Sequence, residues 1–322
     1  MRSILCRLAT ITACILCTIL ITYLALPESR FSYMAAFIDK ERLLKTTPGP
    51  RLIFAGGSSA AFGVDSERVQ AALGEKYNVV NTGLHGGLGL HMILALVKPY
   101  VRPGDVVVVT PEYSLLYGIH HDFTPLNEML GEYPRAWRYV SVKDDVLEPG
   151  VLMLSVQKRV QRLIGVLPQV ENPVFTRQGF DAHGDLNSFE NLPNRRIDRV
   201  PMPSYRPPAE RSLRLLNEFY DYCRARNVTV LLSFAPYPKE LAHSGMTGAE
   251  WTAKLQRLTP IRIVSNPDDY LFPFDAFFDT VYHLNARGRE LRTGRLIADL
   301  TSAMTPVVAS NSTAQRARAI AR

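Results

Sequence analysis

The sequence predicts an α/β protein of three layers, in which helices cover both faces of a mainly parallel sheet. Two observations predict this class. Short runs such as 51–55 and 106–109 are apolar or buried-type at successive positions, as strands covered on both faces are. Segments with helical periodicity separate these runs, and strand–helix alternation favours parallel pairing through crossover helices. A length of 322 residues and a hydrophobic content of 47% are sufficient for a large core.

The first element, residues 1–26, is predicted to be a membrane-spanning helix. Arg2 and Arg7 precede an uncharged run at 8–26, which approaches the ~20 residues that a helix needs to cross a bilayer. Basic residues before the run place the N-terminus in the cytoplasm, so we expect a single-pass protein of the inner (cytoplasmic) membrane with a periplasmic or otherwise extracytoplasmic domain. Two alternatives stay open: a cleaved signal peptide, and a lipoprotein signal that ends at Cys14.

The remaining elements follow in order. Residues 27–50 predict a short helix and a linker, and the main domain is expected at 51–303. Strands are predicted at 51–57, 77–83, 105–113 and 228–238, with a last short strand within 261–270. Helices are predicted at 66–73, 88–101, 212–227 and 285–304.

Two parts of the chain depart from this alternation. The stretch 115–208 is rich in proline and polar residues, with one predicted helix at 152–164. Because it is too long for a plain loop, we interpret it as a cap inserted over the edge of the sheet. The tail 304–322 is rich in Ala, Ser, Thr and Arg and is predicted to be disordered.

Charge and cysteine content argue against several classes of function. The net charge is +7, from 37 Lys and Arg against 30 Asp and Glu, without a basic block, so we do not expect a nucleic-acid partner. Three of the four cysteines lie in the N-terminal segment, which leaves Cys223 without a partner for an intrachain disulfide in the exported part. The histidines lack the spacing of a metal site, so neither a metal nor another cofactor is expected.

Small and polar residues follow three of the predicted strands, at 56–59 (GGSS), 81–86 (NTGLHG) and 110–113 (TPEY). Ligand sites of open α/β sheets form beyond the carboxyl ends of the strands. A serine at such a strand-to-helix turn has backbone N–H groups around it that can stabilise an oxyanion, an effect of about 3–4 kcal/mol per donor. A nucleophilic serine also needs a base and an orienting carboxylate, and the sequence DTVYHLN at 279–285 contains both. These residues predict acyl transfer through a serine ester.

The order of these blocks resembles the SGNH/GDSL hydrolase superfamily, and most closely its membrane-anchored branch that acts in the acylation of cell-envelope polymers. The matching blocks are Gly-Gly-Ser-Ser, Asn-x-Gly-x-x-Gly and Asp…His-Leu-Asn. The resemblance spans about 51–300 in short blocks and implies a flavodoxin-like α/β/α fold. It implies Ser58 as nucleophile, His283 as base and Asp279 as the partner of the base. It also implies an oxyanion hole formed by the N–H groups of Ser58 and Gly86.

Two features depart from the family pattern. Three residues separate Asp279 from His283, one more than in the family. The third block lacks the Asn that donates to the oxyanion and instead ends in TPEYS; Tyr113 could donate a hydrogen bond, whereas an ionised Glu112 could not. The candidate pocket residues are Ser59, which is also the rival nucleophile, Asn81, His85, Glu112, Tyr113 and Tyr237.

The resulting hypothesis is an exported enzyme that transfers or hydrolyses acyl esters through Ser58. Its expected substrate is an envelope polysaccharide or an acyl ester, and its candidate partner is a membrane-bound O-acyltransferase; both rest on the resemblance alone. Two alternatives stay open. One is a non-catalytic protein of the same fold that binds a polymer or a membrane-bound O-acyltransferase. The other is an envelope esterase or lipase that acts on small or lipid esters.

Overall fold

The structure, a computed structural model, describes residues 2–119, 122–168, 172–242 and 245–304. In chain order, the strands of these residues are β1 (Arg51–Gly56), β2 (Asn78–Asn81), β3 (Val106–Thr110), β4 (Thr229–Leu232), β5 (Tyr237–Pro238), β6 (Arg262–Ile263) and β7 (Leu271–Phe272). The main sheet of this part of the chain has five strands, all parallel, in the order β2-β1-β3-β4-β6, while β5 and β7 pair separately. The predicted α/β class is confirmed.

Helices connect the strands and form two groups. In chain order they are α1 (Arg2–Ala25), α2 (Ala36–Thr46), α3 (Ser58–Gly63), α4 (Ser66–Ala72), α5 (Gly89–Val97), α6 (Tyr113–Leu116), α7 (Thr124–Glu132), α8 (Pro149–Leu163), α9 (Glu210–Arg224), α10 (Gly248–Gln256) and α11 (Ala286–Met304). One group is formed by α5 with α2 and α9, and the other by α11 with α3 and α4. The chain moves from β1 to β2 and then back past β1 to β3, so right-handed crossovers place α4 and α5 on opposite faces of the sheet.

The register of the two central strands decides where the candidate blocks lie. Leu52 is paired with Val106, and Gly56 is paired with Thr110 at the carboxyl end. Every residue of both strands is buried, including Arg51 at the start of β1 and Thr110 at the end of β3, and the apolar runs 52–55 and 106–109 predict this burial. Because the strands are parallel and end in register, the residues that follow them emerge side by side at one edge of the sheet.

Two predicted strands are shorter than expected. The strand predicted at 105–113 ends at Thr110, because Pro111 has no N–H to continue the ladder and the chain then turns into α6. The strand predicted at 228–238 is interrupted after Leu232, and pairing resumes only in the short strand β5. Pro236 lies in this interruption and also lacks a donor.

Residues 27–50, predicted to be a short helix and a linker, are packed into the domain. In α2, Phe37 is buried together with Lys40 and Glu41. Lys40 Nζ donates to the backbone carbonyl of Asn81 at 3.1 Å, and burial lowers the pKa of Lys40 to about 7. This packing was not predicted because the inward-facing side chains of α2 include charged residues. The sequence of α2 alone does not show which partners these charged residues contact. The segment is an element of the domain rather than a linker.

The stretch 115–208 contains α7 and α8, which pack against each other, followed by a long irregular segment. Phe175 and Phe189 of that segment lie over Phe62 in α3, with ring centroids 5.9 and 4.6 Å apart. The insertion therefore contacts the helix that begins at Ser58. Apart from Met304, the tail predicted to be disordered lies outside the described residues.

The N-terminal helix α1 is exposed along almost its whole length. Its apolar part, Ile4–Ala25, has a mean hydropathy of 2.3. This length and composition suit a membrane anchor or a signal sequence.

Candidate active site

The turn after β1 forces the backbone close to a carboxylate. Gly57 connects β1 to α3, which begins at Ser58. A Cβ atom on Gly57 would lie 2.5 Å from Oε2 of Glu112, so a larger residue cannot occupy the turn without displacing that side chain. This close approach is the physical reason for glycine at the end of the apolar run.

Asp279 and His283 form a hydrogen-bonded pair despite their longer spacing. The His283 Nδ1 atom lies 2.7 Å from Asp279 Oδ1. The imidazole of His283 is 6% exposed and stacks on the Phe62 ring with a centroid distance of 4.0 Å. With a proton on Nδ1 donated to the carboxylate, the Nε2 atom carries the free lone pair of a base. Three intervening residues therefore still allow the contact between the imidazole and the carboxylate.

A cleft of about 320 Å³ brings the predicted blocks together. It is lined by Ser58, His85, Gly86, Glu112, Tyr282 and His283, among others. Between the described side chains of Ser58 and His283 there is no hydrogen bond in this structure. The candidate nucleophile and the candidate base thus line the same cleft but are not hydrogen-bonded to each other.

Glu112 stands at the third strand end, where the family pattern has a donor. Its Oε1 atom accepts the N–H of Ser59 at 2.9 Å. Its Oε2 atom is buried and has no hydrogen-bond partner among the described residues. A Cβ atom on Gly86 would lie 3.4 Å from that oxygen, so the carboxylate is next to the backbone of two blocks, at Gly57 and at Gly86. An ionised carboxylate can only accept hydrogen bonds there.

Arg292 of α11 was not among the predicted site residues. It is fully buried, and its guanidinium donates to the carbonyl of Ser59 and, at 2.8 Å, to Thr110 Oγ1. Burial lowers the pKa of Arg292 to about 10, and the charge of Glu112 is among those that oppose this lowering. The backbone of Ser59 is therefore held at both of its polar groups, by Glu112 at the N–H and by Arg292 at the carbonyl.

The spacing of residues in the last helix indicates that Arg292 faces inward. Arg289, Arg292, Leu296 and Leu300 recur at three- and four-residue intervals, and all four are buried. An arginine on the apolar stripe of a helix indicates a buried partner, since the charge needs one. That spacing could have identified Arg292 as an inward-facing residue.

His85 is the second histidine of the cleft. Its Nδ1 atom accepts the N–H of Gly87 at 2.9 Å, which fixes the ring at the second strand end. Burial lowers the pKa of His85 to about 4, so the imidazole is neutral at pH 7. It also lines an adjoining cavity of about 370 Å³ on the side of α7 and α8.

Four of the predicted pocket residues do not line this cleft. Ser59 is fully buried, and its hydroxyl has no partner among the described residues. Asn81 Nδ2 donates to the Ala60 carbonyl at 2.9 Å, which holds α3 from behind. Tyr113 and Tyr237 contact each other edge to face, with ring centroids 6.1 Å apart, in an aromatic cluster beside the cleft. The side chains of both tyrosines are buried in this cluster.

The described residues contain no group of three or more His, Cys, Asp or Glu side chains that could hold a metal ion. No protein-family model matches the chain, and no curated protein matches it in sequence.

Proposed function

We propose that the domain catalyses acyl transfer or ester hydrolysis through Ser58, as the resemblance to the SGNH superfamily implies. The observation that carries this proposal is the 2.7 Å contact between His283 and Asp279 at the cleft that Ser58 also lines. A base with an orienting carboxylate, next to a serine at a strand-to-helix turn, is the set of groups that nucleophilic catalysis requires.

The reaction proceeds in two steps, acylation of Ser58 and transfer of the acyl group to water or an acceptor. The His283 Nε2 atom takes the proton of the Ser58 hydroxyl as Oγ attacks the acyl carbonyl, and the tetrahedral intermediate then expels the alcohol, which receives that proton. The serine ester is next attacked by water or by an acceptor hydroxyl, whose proton passes to His283 and then back to Ser58. Hydrogen bonds between nucleophile and base are often long without substrate, so we expect the Ser58–His283 bond to form in the complex.

Two backbone donors, the N–H groups of Ser58 and Gly86, stabilise the oxyanion in this proposal. Glu112 does not replace the missing third donor, because its charge has the wrong sign. The Glu112 side chain lines the cleft, and its buried, partnerless Oε2 atom would accept a strong hydrogen bond from a hydroxyl group of the acceptor once substrate binding uncovers it. Hydroxyl-rich acceptors such as an envelope polysaccharide fit this requirement.

The setting of the proposed enzyme is a membrane surface. We interpret the apolar helix α1 as an uncleaved anchor with the domain on the extracytoplasmic side. A membrane-bound O-acyltransferase is the proposed partner that would supply the acyl group. An esterase or lipase that acts on small or lipid esters would use the same residues with water as acceptor.

A non-catalytic role is the second candidate, and two observations favour it. The described Ser58 and His283 side chains are not hydrogen-bonded, and a carboxylate lies beside the backbone groups that would hold the oxyanion. A domain of this kind would bind a polymer or an acyltransferase without reacting.

Labelling with a fluorophosphonate separates these candidates. The full-length protein in detergent is treated with the probe beside Ser58→Ala, His283→Ala and the matched control Ser59→Ala. We expect labelling of the wild type and of Ser59→Ala, no labelling of Ser58→Ala, and a large loss in His283→Ala. Labelling that persists in Ser58→Ala would identify another nucleophile, and a folded wild type that does not react would favour the non-catalytic role.

A further inference from the structure

The end of the apolar helix α1 is bound to the insertion. The Tyr23 hydroxyl donates to the Leu130 carbonyl at 2.5 Å and accepts the indole N–H of Trp137 at 2.9 Å. The guanidinium of Arg159, which is 5% exposed, donates to the carbonyls of Leu26 and Pro27 at 2.5 and 2.6 Å. These contacts attach α7 and α8 to the last turn of α1.

This attachment determines how deep α8 lies relative to a bilayer that α1 crosses. Tyr23 and Trp137 are the residue types that gather at the boundary between the acyl chains and the headgroups. Arg159 of α8 binds the carbonyls directly after the apolar run, where the chain leaves the hydrocarbon layer. Where α1 crosses a bilayer, these contacts bring the part of α8 around Arg159 to the level of the bilayer surface.

The two sides of α8 differ in character. Ser155 and Arg159 are buried against the domain. At 3.6 residues per turn, an arc of about 100° on the other side holds only uncharged side chains, and we call this arc the exposed face of α8. The exposed face consists of Met153, Leu154, Gln157 and the half-buried Gln161, together with Ile164, which directly follows the helix.

The large apolar residues of this face are open in the structure. Met153 is 53% exposed, Leu154 49% and Ile164 66%, and Val166, which follows the helix, is 64% exposed. Apolar residues gathered in this way mark an interaction surface rather than ordinary surface scatter.

We propose that the exposed face of α8 lies on the lipid surface, at the headgroup–acyl boundary of the bilayer that α1 crosses. Continuity with the end of α1 favours lipid over another protein, because the same contacts that hold α8 bring it to this boundary. Lys158 lies at one edge of the face and suits an anionic headgroup, whereas Arg162 is paired with Glu132 Oε1 at 3.4 Å. The domain is thereby held in one orientation, with the cavity lined by Ser155 and His85 between the bilayer and the cleft.

Collision accessibility of spin labels tests this proposal in the full-length chain. The protein is reconstituted alone into vesicles of phosphatidylethanolamine and phosphatidylglycerol, in a background in which the four native cysteines are replaced by alanine. A nitroxide is attached in the variants Leu154→Cys and Ile164→Cys. The matched control is Ala253→Cys, since Ala253 is exposed on α10, away from α8.

We expect a higher ratio of oxygen to nickel-complex accessibility at positions 154 and 164 than at 253, because oxygen concentrates in lipid. Equal ratios at all three positions would place the face in water and overturn the proposal. Low accessibility to both reagents at 154 and 164 would mean that a second copy covers the face, which also overturns it. Insertion of α1 is checked by resistance of the vesicle-bound protein to alkaline extraction, and a protein that is extracted would overturn the proposal as well. None of these readouts depends on ester chemistry, so they test the membrane contact of α8 independently of the proposed function.

Discussion

The charge of Glu112 offers the sharpest test of how the proposed oxyanion hole works. Glu112→Gln keeps the oxygen that accepts the Ser59 N–H and replaces the partnerless Oε2 atom with an NH₂ group. The substitution changes little in volume. It removes a negative charge from beside the Gly57 and Gly86 backbones and adds a donor there.

The size of the effect follows from electrostatics. An oxyanion held at Gly86 would lie about 5 Å from this oxygen, and at an effective dielectric constant of about 20 the repulsion amounts to about 3 kcal/mol. Buried Arg292 offsets part of it. We therefore expect Glu112→Gln to raise kcat/KM for a small neutral ester about tenfold, which corresponds to ~1.4 kcal/mol of transition-state free energy.

The assay is hydrolysis of p-nitrophenyl acetate at pH 7 by the full-length protein in detergent. Glu132→Gln is the matched control, since it neutralises another buried carboxylate outside the cleft, and its rate is expected to equal that of the wild type. Glu112→Ala leaves the Ser59 N–H without its acceptor and is expected to lose about 1–3 kcal/mol of stability and to react more slowly. A Glu112→Gln rate at or below that of Glu112→Ala would show that catalysis needs the carboxylate itself, and would refute the reasoning.

Three further predictions concern the surrounding residues. Asp279→Asn removes the acceptor of the Nδ1 proton and is expected to lower kcat by roughly 10³-fold or more, measured with the same ester. His85 has its pKa lowered from 6.5 to about 4, so unfolding takes up a proton below pH 6.5; stability is expected to fall by up to about 3 kcal/mol from pH 7 to pH 4 relative to His85→Asn, in urea titrations. Gly57→Ala places a methyl group against Glu112 and is expected to abolish fluorophosphonate labelling, whereas Gly294→Ala, in open space on α11, is expected to retain it and to gain up to about 1 kcal/mol of stability.

Each of these three predictions can be contradicted by a specific result. An unchanged kcat in Asp279→Asn would remove the carboxylate from the mechanism. Parallel pH profiles for wild type and His85→Asn would mean that His85 titrates normally. Full labelling of Gly57→Ala would show that the turn can open without displacing the nucleophile.

Local sequence patterns predicted most strands of the main sheet and several of the helices. The strands β1 and β3 follow from uninterrupted apolar runs, and the 19-residue helix α11 follows from a period of three to four residues; the sequence displays both directly. The polar residues after the strands indicated one shared edge, because the strands of an α/β sheet are parallel. The proximity of His85 and Glu112 to Ser58 follows from that rule.

The rest depended on contacts between distant residues. Arg292 binds the peptide of Ser59 across 233 positions, and its partner cannot be identified from either neighbourhood. The inward packing of α2 likewise depends on Lys40 reaching the Asn81 carbonyl. Burial of such charges is stable only where partners are supplied by other elements, so it is a property of the assembled fold.

The sequence by itself determined the class of the fold, the order of its elements and the types of residue that follow each strand, because these depend on local periodicity and turn chemistry. Only the tertiary structure decided that Asp279 reaches His283 across the longer spacing, that the Glu112 carboxylate lies against Gly57, and that α8 is attached to the end of α1. Those three results depend on register and packing between elements, which no local pattern of residues contains.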